Sequence, residues 1–116
     1  AKGIIVLADP EQLTKVFNNL LKNAIQSITS DKAGLIKVRI NKVDKEVVIE
    51  IEDNGMGIAD EFIDKLFTPN FTTKSTGMGL GLTITKNIIE ITGGTINFTT
   101  RKNEGTTFII SLPADN

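Results

Sequence analysis

Glu46-Val47-Val48-Ile49-Glu50-Ile51-Glu52-Asp53-Asn54-Gly55-Met56-Gly57 alternates apolar and polar side chains, then breaks into a glycine-punctuated loop. An Asn-Gly pair is the commonest two-residue hairpin turn, and alone it would send a second strand back along the first. The residues that follow, Ile58-Ala59-Asp60-Glu61-Phe62-Ile63, are helical in pattern, so no returning strand completes a hairpin. Period two places Val47, Ile49 and Ile51 on one face of the strand, with Val48, Glu50 and Glu52 on the other. The same phase turns Asp53 inward. A carboxylate in that position needs a donor, and none is obvious nearby in the sequence. At the floor of a pocket it can accept a hydrogen bond from an exocyclic amine such as that of adenine, and Gly57 would leave room for a flat ring.

Working outward, Leu35 to Val43 reads as the antiparallel partner of Glu46 to Asp53, joined at Asp44-Lys45. Upstream, Gly3 to Ala8 reads as a short apolar strand. Asp9-Pro10-Glu11-Gln12 then opens a helix, with Asp9 as N-cap, Pro10 in the first turn and Gln12 in the capping-box position. That helix runs to about Ser27 or Thr29. Val16, Leu20, Leu13, Ala24, Phe17, Ile28, Leu21 and Ile25 cover its apolar arc, and Asn19, Asn23 and Gln26 form a polar stripe at the border. Downstream, Ile58 to Leu66 is a short helix or turn. Phe67 to Thr76 has the composition of a mobile loop, and a helix from about Leu80 to Thr92 ends at Gly93-Gly94. Thr95 to Arg101 and Thr106 to Leu112 form a closing hairpin across Lys102 to Gly105. The order predicts an α/β (α+β) two-layer sandwich, with a mixed, mostly antiparallel sheet of about five strands and about three helices on one face.

The 116 residues suit one domain, and 40% hydrophobic with 23% charged content is ordinary for a globular chain. A net charge of −1 gives no electrostatic case for nucleic acid or a membrane surface. Cysteine and histidine are both absent, which excludes disulfides, thiolate catalysis, histidine triads and Cys- or His-ligated metals within the chain. No apolar run approaches a membrane span. An alanine in first place suggests a domain excised from a longer protein.

Two other polar segments accompany the Asp53 loop. Gly77-Met78-Gly79-Leu80-Gly81-Leu82 fits neither the dinucleotide pattern nor the P-loop pattern. It is a glycine run that opens a helix, whether as a flexible linker or as a phosphate cradle made of free N–H groups. Asn19 and Asn23 stand at i and i+4, so their amides point the same way. They read either as surface polar residues or as a place where an amide carbonyl holds a hard cation such as Mg²⁺ against a triphosphate. Lys74 reads either as a solvated loop lysine or as a contact for a γ-phosphate.

Four stretches carry a family resemblance. Phe17-Asn18-Asn19-Leu20-Leu21-Lys22-Asn23-Ala24 resembles the N box of the GHKL ATP-binding superfamily. Asp53-Asn54-Gly55-Met56-Gly57-Ile58 resembles its G1 box, and Leu66-Phe67-Thr68-Pro69-Asn70-Phe71-Thr72-Thr73-Lys74 its F box. Gly77 to Leu82 resembles the G2 box. Gly93-Gly94 and Gly105 to Pro113 look like the family's closing hairpin, so the resemblance covers nearly the whole chain, in order. It looks like the catalytic, ATP-binding domain of a bacterial sensor histidine kinase. The resemblance implies a Bergerat fold in a single catalytic domain over residues 1–116, with an ATP lid near 67–80. It implies ATP and Mg²⁺ as cofactors, Asn23 as the metal ligand, and Asn19, Asn23 and Lys74 as the catalytic set. Asp53 becomes the adenine reader. Gly55, Gly57, Ile58, Phe67, Thr73, Lys74, Gly77, Met78, Gly79, Leu80, Gly81 and Leu82 complete the nucleotide contacts.

Asn19 separates branches of that superfamily, because the hydrolysing members carry Glu in its place as general base. An amide accepts no proton at neutral pH, so water attack gains nothing from it. The resemblance therefore implies a histidine kinase whose phosphoacceptor lies outside this histidine-free chain. The acceptor would sit on a dimerisation domain of the same parent, homodimeric through that domain, with a response regulator downstream. The domain itself would be cytoplasmic, touching neither nucleic acid nor membrane, while the parent could be membrane-anchored. The alternatives are a serine-kinase or anti-sigma type domain and a non-catalytic nucleotide-binding regulatory module.

Overall fold

The computed structural model describes residues 8–29, 33–67 and 82–114. The elements follow in the order α1 (Pro10–Ser27), β1 (Ile36–Val43), β2 (Glu46–Asp53), α2 (Asp60–Ile63), α3 (Leu82–Ile91), β3 (Thr95–Arg101) and β4 (Gly105–Pro113). The sheet runs β1-β2-β4-β3, and every pairing is antiparallel. Among the described residues there are thus four strands and no parallel pair, where about five strands and a mixed sheet were expected. The expected Gly3–Ala8 strand lies outside the described residues except for Ala8, which sits in a bend.

Local chemistry sets these bounds. The Asp9 side chain accepts the Glu11 N–H at 2.9 Å and Pro10 fills the first turn, so α1 starts where its cap stands. At the other end Ile28 turns extended and its N–H reaches only Ile25 O. The β1–β2 turn uses Asp44 at φ 56, a left-handed position that Asp tolerates better than most residues. α3 ends at Gly93, whose φ of 94 favours glycine, with the Gly94 N–H bonded to Ile89 O at 2.9 Å.

β2 is one of the two inner strands, and its period-two pattern is realised residue by residue. Val47, Ile49 and Ile51 lie opposite Leu112, Ile110 and Phe108 of β4, forming the sheet side of the core. Val16 and Leu20 of α1 and Leu82, Ile88 and Ile89 of α3 close over it. Burying each such side chain contributes about 1.5–3 kcal/mol. Phe98 is flanked by Phe67 and Phe108, each 6.0 Å away between ring centroids, which extends the core toward the end of α2. The helical layer stops short of β1. Val38 and Ile40, on its inner face beside Ile51 and Ile49, remain half-exposed.

The buried stripe of α1 differs from the expected arc at its C-terminal end. Ile25, expected inside, is exposed, whereas Asn23 and Ser27 are buried. The reason is what lies beneath. This half of α1 sits over the end of β2, where the sheet offers the Asp53 carboxylate instead of an apolar side chain.

Candidate functional site

Asp53 is the last residue of β2 and is only 5% exposed. Its Oδ1 accepts the Gly55 N–H at 2.8 Å and the Ser27 hydroxyl at 3.1 Å, and the Thr106 backbone N–H also donates to the carboxylate. Ser27 and Thr106 are the donors that the neighbouring sequence did not reveal. Burial pushes the Asp53 carboxyl above its ordinary value. The hydrogen bonds from Gly55, Ser27 and Thr106 pull it back down, and the charge of Glu52 adds slightly to the rise. A carboxylate offers about four lone-pair positions, so three protein donors leave room for a ligand donor.

The loop after Asp53 is held on every side. The Met56 N–H donates to Ser27 O at 2.9 Å, and a Cβ on Gly55 would collide with the Ser27 hydroxyl and carbonyl. Gly57 has a φ of 74 and lies against the Arg101 carbonyl, which supplies a backbone reason for glycine beside the expected one of ring clearance. The Ile58 N–H donates to Thr100 Oγ1 at 2.9 Å, and that oxygen lies 2.9 Å from Thr106 Oγ1. Threonines 100 and 106 thereby tie the loop to the β3–β4 hairpin. Neither stood out in the sequence, since threonine is common in strands.

Asn54 acts as a clasp. Its Oδ1 accepts the Leu35 N–H at 2.9 Å, its Nδ2 donates to Ala33 O at 2.8 Å, and its own N–H donates to Leu35 O. Asn54→Ala removes two side-chain hydrogen bonds and leaves their backbone partners to water, so we expect about 1–3 kcal/mol of lost stability. Urea unfolding checks this; a midpoint equal to that of the unsubstituted chain would refute the clasp.

On α1, Asn19, Asn23 and Ser27 recur every four residues along one face. At 1.5 Å rise per residue they span about 12 Å, starting from Asp53. Asn19 Nδ2 donates to Thr85 Oγ1 on α3 at 3.3 Å. Asn23 is 4% exposed and its Nδ2 is buried without a partner among the described residues. An orphaned amide of this kind is uncommon and calls for an explanation.

Of the other expected contacts, Ile58 and Leu82 are buried in the core. Phe67 is half-buried on Phe98, with Lys86 Nζ 5.4 Å from its ring centroid. Thr73, Lys74, Gly77, Met78, Gly79, Leu80 and Gly81 lie outside the described residues, as does most of the expected lid. An open hollow of about 490 Å³ adjoins Asp53 between β2 and the closing hairpin. Glu52, Thr107 and Thr99 line it from the sheet face turned away from the helices, so it does not continue the Asn19–Asn23–Ser27 line. Among the described residues, no group of three His, Cys, Asp or Glu could hold a metal, and no helix is long and apolar enough to cross a membrane.

Comparison with known proteins agrees with this geometry. The profile of the family described as "Histidine kinase-, DNA gyrase B-, and HSP90-like ATPase" matches residues 8–116. The chain is 44% identical to sensor histidine kinase ZraS of Escherichia coli strain K12 over 110 residues, 95% of this chain and 23% of ZraS. It is 38% identical to sporulation kinase B of Bacillus subtilis strain 168, across 97% of this chain and 26% of that protein. The chain thus spans about a quarter of the length of these multidomain relatives. Among solved structures, the nucleotide-free catalytic domain of histidine kinase ThkA superposes with a TM-score of 0.80 at 38% identity, covering 93% of this chain and 70% of that one. The mycobacterial sensor histidine kinase MprB gives 0.79 at 28% identity, covering 94% and 76%. An inward carboxylate braced by its own loop, a matching helix face and these relatives lead to one assignment: the chain belongs to the nucleotide-binding family of histidine kinase-, DNA gyrase B- and HSP90-like ATPases.

Proposed function

We propose that this chain binds Mg-ATP and delivers the γ-phosphoryl group to a histidine on a separate dimerisation domain of its parent protein. The observation that carries the reading is the buried Asp53, held by three protein donors with an acceptor position to spare, at one end of the Asn19–Asn23–Ser27 line. Asp53 accepts the exocyclic amine of adenine. Asn23 fits a divalent cation: its donor end is buried and unpartnered, which suits an orientation that presents the carbonyl oxygen to a hard ion. Mg²⁺ held by Asn23 would supply charge neutralisation on the phosphates. Lys74, Thr73 and the Gly77–Gly81 backbone are the remaining phosphate contacts on the family resemblance.

Asn19 is an amide engaged with Thr85, and no carboxylate stands in its place. Without a general base, attack by water lacks a contribution of roughly 10²–10⁴-fold. The γ-phosphoryl group thus persists for a better nucleophile. An imidazole nitrogen attacks the γ-phosphorus, the bond to the β–γ bridging oxygen breaks, ADP leaves, and the imidazole gives up its proton. The acceptor comes from outside because the chain has no histidine. A response regulator that takes the phosphoryl group onward completes the proposed pathway.

The test is transfer of label from γ-labelled ATP to a separately supplied histidine-bearing dimerisation domain of the parent. We expect label on the acceptor, slow ATP turnover by the domain alone, and at least tenfold less transfer with Asn23→Ala. Fast hydrolysis with no acceptor label would overturn the kinase reading.

A further inference from the structure

We propose that Ser27 is a positioning residue for base selection: its hydroxyl holds Asp53 Oδ1 inside the protein, so that the carboxylate's spare acceptor position is left to meet an adenine amine. The proposal rests on the reading of Asp53 as the base acceptor. Ser27 is the last residue of α1 and is 2% exposed. Its Oγ lies 2.8 Å from Ala24 O, the ordinary acceptor for a serine inside a helix, and 3.1 Å from Asp53 Oδ1. One hydroxyl proton therefore serves a helix carbonyl and a carboxylate together. The Ser27 carbonyl takes the Met56 N–H, so the same residue grips both the carboxylate and the loop that follows it.

The surroundings explain why a serine suits this place. Gly55 packs directly on Ser27 Oγ and O, which leaves no space for a larger side chain. Alanine would fit, but Oδ1 would then keep only the Gly55 N–H of the two donors seen on it. The carboxylate would be held by the Gly55 and Thr106 N–H groups in place of three donors, and its spare acceptor position would lose part of its fixed bearing. Among the described residues no cation acts on the Asp53 carboxylate to compensate. Glu52 adjoins it in β2, Lys37 of β1 and Glu104 share a small hollow with it, Arg101 lines the larger one, and the α1 residue that bonds it, Ser27, is uncharged. Orientation at Asp53 thus depends on neutral donors, one of which a single substitution removes.

The test compares ATP with purine riboside triphosphate, which keeps the ring, ribose and phosphates and lacks only the amine. Calorimetry is run on the folded domain unsubstituted, with Ser27→Ala, and with Ser27→Gly, which also removes the hydroxyl and adds no bulk. We expect the preference for ATP over the deamino analogue to fall about two- to tenfold in both variants, the value of one ordinary hydrogen bond. Affinity for the analogue should stay unchanged. If Ser27→Ala does not fold, Ser27→Gly gives the same readout. Equal weakening of both ligands, or of neither, would overturn the proposal, since a purely structural role would not change the ratio. If the unsubstituted domain shows no preference, the Asp53 reading fails and this inference with it. A preference that Asp53→Asn abolishes while both Ser27 variants retain it overturns the inference alone.

Discussion

Asp53→Asn is expected to weaken ATP binding about tenfold to a hundredfold, corresponding to about 1.5–3 kcal/mol for a hydrogen bond to a charged acceptor. The substitution keeps the shape but exchanges an oxygen acceptor for an NH₂ group. That group would face either the donors from Gly55 and Ser27 or the ligand's own amine. Calorimetry reads the change, and equal affinity in the two proteins would remove Asp53 from base recognition. Stability supplies an internal control. Because burial raises the Asp53 carboxyl above 3.8, the folded chain holds this proton more tightly than the unfolded chain does. Its contribution to stability is therefore complete below 3.8 and is lost as pH rises through the higher folded value. The amide variant lacks that slope. Urea midpoints measured upward from pH 3.8 should diverge, with the unsubstituted chain declining relative to the variant.

Gly105→Ala is expected to have the largest effect on folding. Gly105 has a φ of 133, open to glycine alone for practical purposes, and an added Cβ would overlap the Asp53 carbonyl and press on Asn54 Cα. Strain and overpacking together should cost about 3 kcal/mol or more, roughly 10–15 °C in Tm. Gly34→Ala is the matched comparison. Its Cβ would meet only the Ile28 side chain at 3.0–3.1 Å, which can shift, so we expect a loss below about 1 kcal/mol. Thermal unfolding separates the two cases. A Gly105→Ala protein that melts with the unsubstituted chain would mean the hairpin and the Asp53 loop are not packed as described.

Period and punctuation made most of the scaffold legible. β2 alternates without a fault, Asp9-Pro10 caps α1 where expected, and Asp44-Lys45 turns β1 into β2. The inward phase of Asp53 was equally plain. Its partners were not, because Ser27 is 26 positions away and a serine at a helix end reads as a terminus. Ile25 shows the same limit from the other side. A helical projection identifies the apolar arc of α1, yet the sheet beneath decides which part of that arc is covered. Leu82 closes a glycine-rich motif and is fully buried at the start of α3. Thr100 and Thr106 gave no local signal, since only strand pairing brings them to the Asp53 loop.

The rigid body of α1 has a dimensional consequence. On the proposed reading, base and metal are both gauged from one rod, with Ser27 and Asn23 a single turn apart. The helical pitch then acts as a ruler that no loop rearrangement can rescale. A ligand whose ring and charged tail were separated by a different length could satisfy one station only, so molecular length joins chemical identity as a criterion for admission.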